Sequence, residues 1–142
     1  MIERSEMLPV NRFQVVIGNH ILGFSKASNL EDSMEYDSYV EGGLNDAPWI
    51  WMKPSQQMHT LTLEKGAQIR PLFGEKLTLL PGTEIEGGIL LMVNDLSNQM
   101  ARVFSCQQAV VVKWEISPLD ALSGDMLIEK VEIAHSGLKE VR

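Results

Sequence analysis

Between Arg12 and Gly18 the chain alternates: Phe13, Val15 and Ile17 share one face, and Arg12 and Gln14 the other. A period of two over this length predicts a strand with one buried face. Gly18-Asn19-His20 suits a tight turn, because Gly and Asn tolerate positive φ. Ile21 to Ala27 is expected to return as the second strand of a hairpin. Met34 to Glu41 alternates next, with Tyr36, Ser38 and Val40 against Glu35, Asp37, Tyr39 and Glu41. Its acidic face places it half-solvated or at a sheet edge.

Gly42 to Gln57 breaks the pattern. Gly42-Gly43, Pro48 and Pro54 exclude a continuous helix or a central strand, so a long irregular loop is expected. Yet it carries Trp49, Ile50, Trp51 and Met52. Loops of this length are uncommon unless functional or disordered, and disordered segments avoid aromatics. This one is expected to dock on something.

Met58 to Lys65 resumes the alternation, with Leu61 and Leu63 on one side and Thr60, Thr62 and Glu64 on the other. A short helix is expected somewhere in Ala67 to Leu80, limited by Pro71 and Gly74, before a Pro81-Gly82 turn. Gly87 to Asp95 is apolar on both faces, which predicts a strand covered on both sides. Asn94 to Gln99 is a turn, and Ala101 to Cys106 the return strand. Gln107 to Ile116 places Val110, Val112, Trp114 and Ile116 on one face and Lys113 and Glu115 on the other. Ser117 to Gly124 carries a helix-capping Ser, a following Pro and a terminal Gly, and predicts a compact helical turn. Asp125 to Ser136 is the final strand. The sum is one mainly β domain over residues 1–142. It is expected to be a two-sheet sandwich or barrel with one or two short helices and a long loop inserted at 42–57.

Composition narrows the function. Among 142 residues 44% are apolar, enough for a core, and the net charge is −7. Nucleic-acid surfaces need clustered Lys and Arg, so sequence-specific nucleic-acid binding is not expected. The longest apolar stretch, Ile89 to Val93, is far too short to span a bilayer, so no membrane role is expected. Met1 to Asn11 has no apolar run of signal-peptide length. A single cysteine, Cys106, allows no internal disulfide and suits folding in a reducing cytoplasm.

Candidate chemistry is sparse. His20, His59 and His135 have no ligand partners at metal-binding spacing and read as unrelated surface or interface histidines. Cys106 has no His nearby in sequence and reads as a packing residue. Gly23 to Ala27 lacks the second Gly of a nucleophile elbow. Gly42-Gly43 and Gly87-Gly88 are isolated pairs, and Asp120 and Asp125 lack the ligand series of a calcium loop. Glu129 and Glu132 fall on opposite faces of one strand and cannot form an acid–base pair. No enzyme activity, cofactor or metal is expected.

Three segments in order carry a resemblance. The first is Phe13-Gln14-Val15-Val16-Ile17-Gly18 followed by Gly23-Phe24-Ser25-Lys26-Ala27-Ser28. The second is Tyr39-Val40-Glu41-Gly42-Gly43 followed by Leu61-Thr62-Leu63-Glu64-Lys65-Gly66. The third is Val112-Lys113-Trp114 followed by Glu129-Lys130-Val131-Glu132-Ile133-Ala134-His135-Ser136-Gly137-Leu138. Together, from Phe13 to Leu138, they resemble the tail-tube family of contractile phages and phage-tail-like injection systems. The resemblance implies a β-sandwich or barrel that forms homo-hexameric rings, stacked into a hollow tube inside a contractile sheath. The implied partners are therefore copies of itself, other tube or baseplate subunits and the sheath. The implied destination is a virion or tail-like particle.

The stretch from Asn45 to Pro54 departs from the Lys-Leu-Pro-Gly-like segment of many main tube proteins. Glu41-Gly42-Gly43-Leu44-Asn45-Asp46 and Lys53-Pro54 look more like paralogues that form a single tube-initiating ring on the baseplate. Main tube and initiator both stay open. For such a subunit, Tyr39, Glu41, Gly42, Gly43, Trp49, Trp51 and Met52 are the expected assembly residues, since interfaces favour aromatics and Met. The alternative for the tryptophans is a loop folded back on its own core. Thr60, Thr62 and Glu64 are a candidate lumen wall, or a face turned to solvent outside the ring. Two readings compete with a tube subunit: a monomeric small-ligand-binding β-barrel and a hydrolytic enzyme.

Overall fold

The computed structural model describes residues 7–39, 49–53, 58–67 and 80–141, with the backbone alone at 35, 39, 49 and 51–53. Twelve strands run in chain order: β1 Phe13–Ile17, β2 His20–Leu22, β3 Lys26–Ser28, β4 Glu35–Tyr39, β5 Trp49–Lys53, β6 His59–Gly66, β7 Glu84–Ile85, β8 Ile89–Asn94, β9 Met100–Cys106, β10 Ala109–Ile116, β11 Ile128–His135 and β12 Leu138–Glu140. They form two antiparallel five-stranded sheets, β12-β9-β8-β1-β2 and β3-β6-β11-β10-β7, and a separate two-stranded ribbon, β4-β5. The sheets are open, so the arrangement is a sandwich and not the closed barrel that the alternation left possible.

The core follows from the alternation. Val15 and Ile17 of β1 and Ile89 and Leu91 of β8 face Leu61 and Leu63 of β6 and Val131 and Ile133 of β11 across the sandwich. Each such side chain contributes about 1.5–3 kcal/mol when fully buried. Phe24 is buried where the chain crosses from one sheet to the other. The expected strand over Ile21 to Ala27 is therefore two short strands, β2 and β3, in different sheets. Gly88, at φ +72°, sits so close to β9 that a Cβ would strike the carbonyl oxygen of Cys106. Only glycine allows that approach.

Three further expectations are corrected. The segment 42–57 is not irregular throughout, because 49–53 forms β5 and pairs with β4 from Glu35↔Lys53 to Tyr39↔Trp49. It lies between Pro48 and Pro54 and joins only a ribbon, which its flanking prolines permit. Residues 117–124 hold no helix. The Ser117 hydroxyl accepts the N–H of Ile128, and the Ser117 N–H donates to the Ile128 carbonyl. The serine thus closes the neck of a loop between β10 and β11 instead of capping a helix. The helix expected in 67–80 lies almost wholly outside the described residues, and among the described residues there is no helix.

The third correction is in β10. Its buried residues are Ala109 and Val111, and the register slips between Val111 and Lys113. The bulge at Val112 reverses the phase. Lys113 then pairs with Glu132, and Trp114 pairs with the core residue Val131. Val112, Trp114 and Ile116 stay 40–49% exposed and outside the core, and do not form one apolar face with Val110.

Candidate assembly surfaces

The expected assembly residues gather on the ribbon. Tyr39, Trp49, Trp51 and Met52 all lie in β4 and β5, with Tyr39 directly opposite Trp49. Glu41, Gly42 and Gly43 lie outside the described residues. Alternation puts Tyr36 and Ile50 on one face of the ribbon, 66% and 71% exposed. A two-stranded ribbon is marginal in water by itself, so exposed apolar residues on it are a poor design for a free monomer.

Thr60, Thr62 and Glu64 do share the outer face of β6, but they differ in access. Thr62 is buried, and its hydroxyl accepts the Asn29 side-chain amide at 3.2 Å. Thr60 and Glu64 are half-buried. Glu64 sits between Lys26 and Lys130, each 3.9 Å away, and Lys130 and Lys113 approach Glu115 at 3.4 and 3.5 Å. Cations and carboxylates therefore alternate across four neighbouring strands. The hydrogen bond from Lys130, with Lys113 close by, holds the Glu115 carboxyl below its ordinary value. This face is therefore a ladder of mixed charge.

The eight-residue register between β6 and β11 brings His59 opposite His135. Their rings lie 5.8 Å apart and both are buried, 7% and 1% exposed. They are not the unrelated histidines that the spacing suggested; strand register, invisible in local sequence, pairs them. Glu31 and Asp32 lie 3.8 and 4.0 Å from His59, and Lys139 holds Asp32 at 3.0 Å. Burial foremost, and then His59, push the His135 pKa down, while its Nδ1 accepts the Gly137 N–H. That bond leaves the proton of the neutral ring on Nε2. Among the described residues no group of three His, Cys, Asp or Glu could hold a metal ion. Cys106 is buried in the core, and burial pushes its thiol up to about 11, the state of an inert packing residue.

Two surfaces escaped the sequence reading. In the β10–β11 loop Leu119, Leu122 and Met126 are 80%, 97% and 85% exposed. Between the sheets an apolar groove of about 440 Å³ opens among Val10, Phe13, Ala27, Leu91, Phe104 and Leu138. The loop had a readable signal, since three large apolar residues between Pro118 and Leu127 share no strand period. The groove had none, because its walls come from five distant segments.

Residues 9–139 match the model of a family described as T4-like virus tail tube protein gp19. The chain belongs to this tail tube family. Solved structures give the same fold at low identity. A chain of the anti-feeding prophage cap, the AFP tube terminating cap, is 16% identical with a TM-score of 0.78, over 99% of this chain and 94% of that one. A chain of the PVC sheath–tube complex, from an extracellular contractile injection system in its extended state, is 19% identical with a TM-score of 0.77, over 94% and 90%. A chain of the six-fold symmetrised AFP baseplate is 21% identical with a TM-score of 0.77, over 97% of each. Curated proteins yield no match. Membership of the tail tube family gives the chain a structural role in a tube.

Proposed function

We propose that this chain is a non-catalytic subunit of the inner tube of a contractile tail or injection system, closing into hexameric rings that stack into a hollow conduit. The observation that carries the reading is the match of residues 9–139 to a tail tube family, on an open sandwich whose ribbon leaves Tyr36 and Ile50 uncovered. Similar folds in a baseplate, a sheath–tube complex and a tube cap support partners of those kinds, and the baseplate relative is six-fold symmetrised. The ribbon, with Trp49 and Trp51, grips a neighbouring subunit or the adjacent ring. The ladder face bearing Thr60 and Glu64 lines the lumen, where alternating charge resists adhesion of a passing polyanion.

Within the tube, the Asn45 to Pro54 departure favours the ring nearest the baseplate. Destination in a tail-like particle follows from the same reading. Negative-stain microscopy of the purified, concentrated protein tests it: six-fold rings or stacked tubes are expected. A chain that stays monomeric at every concentration, by light scattering and by image, sinks the proposal.

A further inference from the structure

By alternation His59 continues the inward row of Leu61 and Leu63, and His135 the row of Val131 and Ile133. Two buried imidazoles thus close one end of the apolar core. The segment 29–34, between β3 and β4, is strapped against that end by its side chains. Asn29, at φ +61°, donates its side-chain amide to Thr62 at 3.2 Å. Lys139 holds Asp32 at 3.0 Å, and Asp32 rests so near Gly137 that a Cβ there would lie 2.7 Å from its Oδ1. The strap itself is exposed throughout.

The same place is the root of the ribbon. The strap enters β4 at Glu35, whose register partner Lys53 ends β5, and the next strand in sequence, β6, opens with His59. The pair therefore stands where the ribbon joins the sandwich.

Among the described residues the charges facing the pair are Glu31 and Asp32 on the strap, with Lys139 of β12 behind Asp32. One proton on the pair meets two carboxylates. A second proton has no such place. His135 Nδ1 already accepts the Gly137 N–H at 3.1 Å, so a proton taken from solvent must go to Nδ1 and set donor against donor. It also leaves two cations with ring centres 5.8 Å apart in a buried site. The folded His135 pKa lies below 6.5, chiefly through burial, so a form that hydrates the rings binds protons more readily and gains population as pH falls.

We propose that the His59–His135 pair is a proton-operated latch at the root of the ribbon: when both rings are protonated, segment 29–34 lifts from the sandwich end and releases the ribbon while the two sheets stay folded. Lifting an exposed strap hydrates the rings at less cost than separating sheets that share a core. The latch stands on the geometry of the chain alone, and only its consequence for assembly rests on the tube reading.

The test places nitroxide labels on Ser33→Cys in the strap and Ser97→Cys in the β8–β9 turn, both exposed, with the native thiol buried. The label-to-label distance in the full chain, diluted in unlabelled protein, is read at pH 7.5 and pH 5. A narrow distribution is expected at pH 7.5. At pH 5 most of that peak should be lost to longer distances while the circular dichroism holds. A peak retained at pH 5, or lost only together with the circular dichroism, overturns the latch. The H59Q/H135Q double variant should keep the narrow peak at both pH values, and displacement like the parent's would refute the role of the pair. Should that variant fail to fold, Glu31→Gln decides, because Glu31 is exposed. Removing this counter-charge makes the protonated pair costlier, so the displacement midpoint should move to higher pH, and an unchanged or lower midpoint overturns the proposal. Negative stain of the same samples reports on the tube reading separately: rings with a pH-insensitive strap sink the latch alone, and a pH-sensitive strap in a chain that never forms rings sinks the tube reading alone.

Discussion

The β6–β11 pair and the β4–β5 ribbon are both antiparallel ladders, yet they hold opposite positions in the molecule. The first keeps eight residues in unbroken register and buries Leu61, Leu63, Val131 and Ile133 completely or nearly so. The second keeps five pairs in register and forms a sheet of its own, with Tyr36 and Ile50 exposed. Hydrogen bonding is comparable, so burial makes the difference. One ladder stabilises the domain, and the other is free to be spent on a neighbour.

The largest effect should come from the first ladder. Ile133→Ala opens a cavity in a fully buried position and is expected to cost about 2–5 kcal/mol by urea denaturation, as buried truncations do. A loss no larger than that of a surface substitution would erase the contrast between the two ladders. Cys106→Ala, also in the core, should cost on the order of 1 kcal/mol, because the lost group is small. Its thiol, pushed up to about 11, should resist a thiol reagent at pH 8 until the protein unfolds. Stoichiometric labelling of the native protein would contradict that burial.

Next comes pH. His135 has a folded pKa below its ordinary 6.5, so the unfolded chain takes up the proton more readily. Its stabilising contribution is therefore complete above about pH 6.5 and is lost as pH falls through the folded value. Urea midpoints measured between pH 7.5 and 5 should decline, and His135→Gln should flatten that decline. Asp32, Glu115 and Glu140, held down by Lys139, Lys130 and Arg102, act in the same direction only at lower pH, below their ordinary 3.8 and 4.5.

The smallest effect on stability belongs to the ribbon. Tyr36→Ser with Ile50→Ser should leave stability within about 0.5 kcal/mol, as exposed substitutions do, while impairing ring formation. The Trp49→Ala, Trp51→Ala pair should likewise keep the circular dichroism and impair assembly. Intact rings from either variant would remove the ribbon from the interface.

The sandwich was legible wherever one face meets the core and the other does not. Phe13–Ile17, His59–Gly66 and Ile128–His135 announce themselves by period two. Three features defeated that signal. β5 is apolar at four consecutive positions, Trp49 to Met52, so no alternation marks it, and only its partner β4 makes it a strand. A single extra residue at Val112 reverses the phase of β10. Ser117 can cap a helix or clamp a loop neck with the same hydroxyl, and the choice depends on Ile128, eleven residues away. Trp49, Trp51 and Met52 stood out in the sequence as a segment because disordered stretches avoid aromatics. The groove and the His59–His135 pair did not, since each is created by strands far apart in the chain.

The same separation governs when the subunit can fold. β6 has β3 on one side and β11 on the other, and it cannot complete its register until His135 is available to meet His59. During synthesis, with residues added at about 5–20 per second, the middle of the chain waits several seconds for its central partner. Folds dominated by such distant pairings close slowly, in milliseconds to seconds once all strands are present. The β10–β11 loop emerges just ahead of the strand that completes the core. A nascent chain therefore has little time in which Leu119, Leu122 and Met126 are displayed on an unfinished domain, and incomplete chains lack the β11 strand to which Ser117 ties their loop.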